Sequence, residues 1–248
     1  MSNINKNNNN SNNNIVLQKY MAMAGLGSRR KCQELISQKK VKINGHKANL
    51  GARVSVKDHV TVNNNKIFLS NNKIYIMMYK PRGYVTTVHD ELERKCVLDL
   101  INNKITERVY PVGRLDKNSE GILLITNDGN FANIIMHPSN KISKTYRVTV
   151  NSEITDIQVN NLLLIKEIDG QKINPPEIKI LESSINRSVL EIKISQGLNR
   201  QIRKMCELVN LEVTRLKRIS IGNLKLGNLK PGTFRNLEPY EINYFLDK

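Results

Sequence analysis

The sequence predicts an α+β protein in two parts, a small N-terminal module of two helices followed by strands and a larger C-terminal domain built on a mixed sheet. Three observations carry that reading. The 248 residues suffice for one domain of ordinary size plus an appended module. Apolar spacing near the N-terminus switches from helical to alternating. Beyond residue 74 strand-like runs outnumber helical ones, without a regular βαβ rhythm or an internal repeat.

Nine of the thirteen residues from Ser2 to Asn14 are Asn, with almost nothing apolar to offset the entropy of ordering. The expectation is a disordered tail over 1–14. Residues 15–63 are the first module. IVLQKYMAMAG reads as a short amphipathic helix ended by Gly25, and SRRKCQELISQ as a second, with Ser28 as N-cap and Cys32, Leu35 and Ile36 on one face. VKING carries an Asn44-Gly45 turn signal, and Val54, Val56, Val60 and Val62 alternate around a turn at Asp58.

The polar, Asn-rich stretch 64–73 reads as a linker. From 74 to 248 the strand-like runs are IYIMMY, RVYPV, GILLIT, TYRVTV, VLEIKI and VTRLKRISI. The helical stretches are CVLDLINN, FANIIM, ITDIQVNNLL and NRQIRKMCELV.

The formal net charge of +17 draws polyanions, and nucleic acid is the first partner to consider. Residues 15–63 hold ten Lys/Arg against Glu34 and Asp58. Placement matters more than number. Arg29, Arg30 and Lys31 crowd the first turn of a helix, where the macrodipole makes each cation unfavourable by ~0.3 to 1 kcal/mol. A bound anion would offset that cost; a merely solvated basic face would not.

Several classes lose their usual signatures. Cys32, Cys96 and Cys206 are odd in number and in no C-x-x-C pair, so neither a disulfide framework nor a zinc site is indicated, and the expected compartment is reducing. His46, His59, His89 and His137 lack metal-ligand spacing, so no metal is expected. No apolar run is long enough for a bilayer span, and no secretory core is seen. Phosphate-binding, dinucleotide and serine-hydrolase glycine motifs are also missing.

Two stretches remain that could carry chemistry. In VYPVGRLDKNSEGILLITNDG, strand-like runs flank a polar turn containing Arg114, Asp116 and Lys117. On local sequence alone Asp116 is first a turn former, with a functional role as the alternative. In SQGLNRQIRKMCELV, Ile202, Met205, Cys206 and Val209 make a buried stripe and leave Arg200, Arg203 and Lys204 together at a helix start. A nearby carboxylate or phosphate is expected there; the alternative is a surface cluster touching only water.

LQKYMAMAGLGSRRKCQELISQKKVKINGHKA resembles an S4 RNA-binding domain, which implies contact with structured RNA through Arg29, Arg30 and Lys31. GRLDKNSEGILLITNDG resembles the catalytic motif of the ribosomal small- and large-subunit pseudouridine synthases, with one spacer residue more before the Ser. KPRGYVTT, KTYRVTV and QGLNRQIRKMCE are similar to that family's other blocks, and the last looks most like its large-subunit branch F.

The resemblance implies a mixed-sheet synthase domain that isomerises a uridine of 23S ribosomal RNA without a cofactor. Asp116 would be the essential carboxylate, Arg203 the cation that keeps it ionised and Tyr146 the aromatic partner of the base. Ile202 would close the apolar floor, and Arg114 would fill the gap left by the everted nucleotide. Lys80, Arg82 and Lys117 would hold phosphates, and Asn199 and Arg200 would join the substrate contacts. A cytoplasmic monomer is expected. A 16S or transfer RNA substrate, or a non-catalytic S4-type protein of ribosome assembly, is the competing reading.

Overall fold

The computed structural model describes residues 14–55, 57–69, 72–101 and 104–248. Residues 1–13 of the expected tail, Val56 of the expected alternation, residues 70 and 71 of the expected linker, and Asn102 and Asn103 lie outside them. The chain divides into two compact units after Asn72.

The first unit runs β1 (Ile15–Val16), α1 (Leu17–Met23), α2 (Arg29–Ser37), β2 (Val41–Ile43), β3 (His46–Lys47), β4 (Arg53–Val54), β5 (Val60–Val62) and β6 (Asn65–Lys66). Ser28 caps α2 by accepting a hydrogen bond from the Lys31 backbone N–H at 3.2 Å. Cys32 and Ile36 are buried on its inner face with Leu17, Met21 and Val41, while Leu35 is partly covered.

Three expectations change here. Ile15 and Val16 are not helical but pair with Val54 and Arg53. Val54 and Val60 do not share a hairpin, since β5 pairs with β2. The expected linker at 64–73 also starts too early: Asn65 and Lys66 pair with β5, and Ile67 and Leu69 pack on this unit's core. Polar composition concealed a strand whose two side chains face solvent.

The second unit continues with β7 (Tyr75–Lys80), β8 (Tyr110–Val112), β9 (Glu120–Thr126), α3 (Gly129–Met136), β10 (Lys144–Val150), α4 (Asp156–Leu164), β11 (Glu167–Ile168) and β12 (Gln171–Lys172). It ends with β13 (Glu177–Ser184), β14 (Arg187–Ile194), α5 (Gln201–Leu208), β15 (Val213–Ile221), β16 (Leu224–Lys225), β17 (Phe234–Asn236) and α6 (Pro239–Leu246). The main sheet has the order β13-β14-β10-β15-β9-β7-β17, with β16 added to β15 and β8 to β9. CVLDLINN forms only a single 3₁₀ turn, Val97–Leu100.

Every residue of β9 is buried. Ile122 and Leu124 face one core, with Phe131 and Phe245, and Leu123 and Ile125 face another, with Ile76 and Met78. A strand covered on both faces reads as an unbroken apolar run, as GILLIT does. The remaining large core joins β10, β14 and β15 to α5 through Tyr146, Val148, Ile192, Ile202, Met205 and Leu216. Cys32, Cys96 and Cys206 are all buried and unbridged.

The two halves of the sheet meet at one parallel seam. β15 and β9 pair only at Lys217 with Glu120 and Arg218 with Gly121. At Gly121 φ is +110°, and a Cβ there would stand 2.1 Å from the Arg218 carbonyl oxygen. Only glycine permits both the backbone angle and the approach. We expect Gly121→Ala to cost about 3 kcal/mol or more by forcing this seam apart. Chemical denaturation of the purified variant measures the loss; a change below 1 kcal/mol would contradict it.

Candidate active site

The turn between β8 and β9 carries Asp116, and its backbone is held by a segment distant in sequence. Thr86 Oγ1 donates to the Leu115 carbonyl at 2.7 Å and accepts from the Leu115 N–H at 3.2 Å. The Gly83 N–H donates to the Lys117 carbonyl at 2.8 Å. The Lys80 ammonium donates to the carbonyls of Pro81, Lys117 and Ser119 at 3.0, 3.4 and 2.7 Å. KPRGYVTT thus acts as a brace that fixes where the Asp116 carboxylate stands.

Lys80 therefore departs from its expected phosphate contact. It is 0% exposed, and its three N–H donors face three backbone carbonyls. Burial presses its ammonium down to about 8, a fall opposed by the charges of Asp116 and Glu120. Sequence reads any lysine of a basic chain as a surface cation; a buried one is revealed only by packing. Arg82 and Lys117, in contrast, are exposed.

Asp116 lines a cavity of about 470 Å³ together with Arg114, Tyr146, Asn199, Arg200 and Ile202. Six of the expected site residues, drawn from three separate sequence blocks, therefore share one concavity. Its apolar walls come from the cores on both sides of the seam, with Leu115, Ile202 and Leu216 from one and Val112, Ile135 and Ile221 from the other. Arg114, Asn199 and Arg200 are exposed, whereas Tyr146 and Ile202 are buried.

Arg203 stands beside this group without clasping Asp116. Among the described residues no ion pair joins the two. Instead its guanidinium donates to the Val213 carbonyl at 2.9 Å and to the Asn118 carbonyl, two residues beyond Asp116, at 3.4 Å. Burial and then repulsion from Arg200 lower its pKa, while attraction from Asp116 opposes the fall. The two opposite charges thus interact through space, without a hydrogen bond between them among the described residues.

Arg200 has φ +53° and precedes α5, so the first turn begins after it rather than at Asn199. Lys204, the third cation of this cluster, pairs with Asp169. In the first unit Arg29, Arg30 and Lys31 are exposed at the start of α2, and Lys31 pairs with Glu34.

Four further groups at the cavity were not singled out from sequence. Lys144, Arg218, Ser119 and Gln201 all line it. Ser119 Oγ, Gln201 Nε2 and Arg218 Nη2 are buried without a hydrogen-bond partner, and Arg203 Nε is a fourth such atom nearby. Orphaned polar atoms are rare in native interiors, and their concentration here marks a site that a polar ligand completes. The alternation of KTYRVTV already put Lys144 on the Tyr146 face.

Behind the seam, Glu120 accepts from Tyr79 at 2.7 Å and from Arg215 at 2.5 Å. Burial works to raise the carboxyl, but these donors outweigh it and hold Glu120 below the ordinary range. The same burial and contact push Tyr79 up to about 12. Glu120 is thus a neutralised support, and Asp116 is the carboxylate lining the cavity.

With this geometry in view, two family models match the chain: RNA pseudouridylate synthase over residues 74–208 and the S4 domain over 17–60. The chain belongs to the RNA pseudouridylate synthase family. It carries an S4 RNA-binding domain at its N-terminus and is an enzyme that isomerises uridine in RNA to pseudouridine. It is 39% identical over 229 residues to Ribosomal large subunit pseudouridine synthase B of Bacillus subtilis, covering 91% of this chain and 93% of that one. It is 37% identical over 228 residues to Dual-specificity RNA pseudouridine synthase RluF of Salmonella typhi, covering 91% and 76%. Similarity at this level does not set branch F apart from branch B. A solved structure titled "Crystal structure of pseudouridylate synthase" shares the fold, with a TM-score of 0.66 at 24% identity over 92% of this chain and 98% of that one.

Lys80→Met should cost this pseudouridine synthase about 1 to 3 kcal/mol near neutral pH, since the brace carbonyls lose their buried donor. Because Lys80 sits at about 8 when folded against the ordinary 10.5, the unfolded chain binds more protons between those values. Its contribution therefore makes stability rise with pH across that window. Urea unfolding at pH 7 to 10.5 should show this rise in the parent and a flatter profile in Lys80→Met.

Proposed function

We propose that this synthase modifies a uridine of 23S ribosomal RNA and that Asp116 is the carboxylate acting at the sugar. The observation that carries the reading is the cavity itself. One carboxylate, Asp116, lines it beside the Tyr146 ring and the Arg114 and Arg200 cations, on apolar walls sized for a base and ribose. The large-subunit target is supported by the relative from Bacillus subtilis, whose name gives that subunit.

A uridine stacked in folded RNA cannot place its C1′ beside Asp116, so the nucleotide must be everted, at a cost of a few kcal/mol. Exposed Arg114, beside the cavity, fills the vacated stack. Arg82, Lys117, Asn199 and Arg200 hold the flanking backbone, contacts that position RNA without reading sequence. Tyr146 lies against the uracil face, and Ile202 closes the floor. Asp116 then attacks C1′ or takes a proton from C2′ while the N1–C1′ bond breaks. The base turns and C5 joins C1′ as the Asp116–C1′ bond breaks or, on the other route, as the proton returns to C2′; the C5 proton leaves and N1 gains a proton, so the product is an isomer of the substrate and no cofactor is consumed.

Arg29, Arg30 and Lys31 supply affinity for structured RNA. The protein works as a cytoplasmic monomer; no helix among the described residues is long and apolar enough to cross a membrane. A transfer RNA is the second substrate class to examine, since the Salmonella typhi relative is named as dual-specificity.

Asp116→Asn should lower pseudouridine formation on the order of 10³-fold or more while RNA affinity and the melting temperature stay close to the parent's. Mapping pseudouridines in total RNA from cells with each allele checks this and identifies the target. Turnover retained by purified Asp116→Asn refutes the assignment. Reversing Arg29, Arg30 and Lys31 to Glu should raise KM at least about tenfold and flatten its salt dependence, because phosphate contacts release counterions. The kcat should move less than about twofold; a fall in kcat with unchanged KM would place this helix in the chemical step instead.

A further inference from the structure

The reaction leaves one charge without a stated partner. When N1–C1′ breaks, the bonding electron pair stays on the base and spreads over N1, O2 and O4. An enzyme that stabilises such a charge places fixed dipoles or cations where it develops.

Two cations line the cavity on the sheet itself. Arg218 on β15 is the cross-strand partner of Tyr146 on β10, and Lys144 lies two residues before Tyr146 on the same strand face. The pairing slips by one residue here: Thr145 faces Ser220, but Tyr146 faces Arg218. Without that bulge, Arg218 and Ile221, three residues apart, would point to opposite faces. With it, both line the cavity. The irregularity aims a guanidinium at the wall beside Tyr146.

This arrangement is costly. Arg218 is 4% exposed, donates through Nε to the Ile122 carbonyl at 2.8 Å, and leaves Nη2 without any partner. Lys144 faces Arg218, and burial followed by that repulsion presses its ammonium down to about 8. Neither takes part in an ion pair among those found. A buried guanidinium with an orphaned donor and a half-buried ammonium that repels it form a seat for negative charge.

Depth distinguishes the two possible anions. A phosphate stays with the RNA backbone at the rim, where Arg114, Arg200, Arg82 and Lys117 are exposed. Arg218 and buried Tyr146 lie deeper, where only an everted base reaches.

We propose that Arg218 and Lys144 contact the everted uracil and stabilise the negative charge it takes up as the N1–C1′ bond breaks. The pair exchanges no proton with the base and changes no oxidation state; its charge lowers the energy of the departing uracilate until C5 bonds to C1′. This inference rests on the reading that Asp116 drives uridine isomerisation in the same cavity.

The test compares leaving groups. Large-subunit ribosomal RNA is transcribed with UTP or with 5-fluoro-UTP, whose fluorine withdraws electrons and makes the base a better leaving group. Single-turnover loss of the original nucleoside and RNA Kd are measured for the parent, Arg218→Met, Arg218→Lys and Lys144→Met. On uridine RNA both Met variants should be slower by about 100-fold. On fluorouridine RNA that defect should shrink at least about tenfold. Arg218→Lys should recover part of the uridine rate, and Kd should stay within about threefold throughout.

Equal slowing on both RNAs overturns the proposal. So does a weakened Kd with an unchanged single-turnover rate, which would move the cations to a phosphate. If Arg218→Met does not fold, Lys144→Met, outside the Gly121 seam, decides by the same comparison. A parent that converts no uridine, or an Asp116→Asn variant that converts it as well as the parent does, overturns the functional reading instead.

Discussion

The close approach of Gly121 to the Arg218 backbone is the constraint on which the rest of the synthase domain depends. The two sheet halves, each with its own apolar core, pair as strands only over the two residue pairs of β9 and β15. The side chain that glycine lacks is the space that lets the strands meet. Five residues before Gly121 stands Asp116, and on the opposite strand the residue in register is Arg218. One backbone contact therefore sets the spacing between the carboxylate turn and the cationic wall.

Around that contact the site separates rigid parts from solvated ones. The Asp116 turn is tied by Lys80, Gly83 and Thr86, so the carboxylate does not depend on a single long side chain for its position. Arg203 reinforces the same turn at Asn118 and adds its field without direct contact. Arg114, Arg200, Arg82 and Lys117 remain exposed; in the proposed function they follow an irregular RNA backbone. Precise chemistry inside and adaptable contacts outside suit a substrate whose reacting part is small and whose anchoring part is large.

Much of this was legible in the sequence, for physical reasons that differ by element. β9 and α5 declared themselves through apolar spacing, and Ser28 through capping chemistry. The order of motif blocks brought Asp116, Tyr146 and Ile202 into one cavity. The solvent-facing β6 was hidden because its residues look like linker. The eight-residue edge strand β13 was missed because most of its side chains are exposed, and α6 because it begins with a proline and a short mixed run. Lys80 was misread because a basic chain gives no local sign of which lysine is inside. Arg218 was missed because a bulge breaks the alternation from which facing is inferred.

The brace also has a consequence for how targets are selected. An ammonium has three protons, and Lys80 commits all of them to backbone carbonyls. Loosening one link would leave a sealed charge undersatisfied, so the carboxylate turn has little room to reshape itself around different guests. Adaptation then falls on the nucleic acid. Among uridines presented to the same receptacle, those whose stacking is already weak, at bulges or loop ends, pay the smallest opening cost and are the ones a stiff receptacle favours.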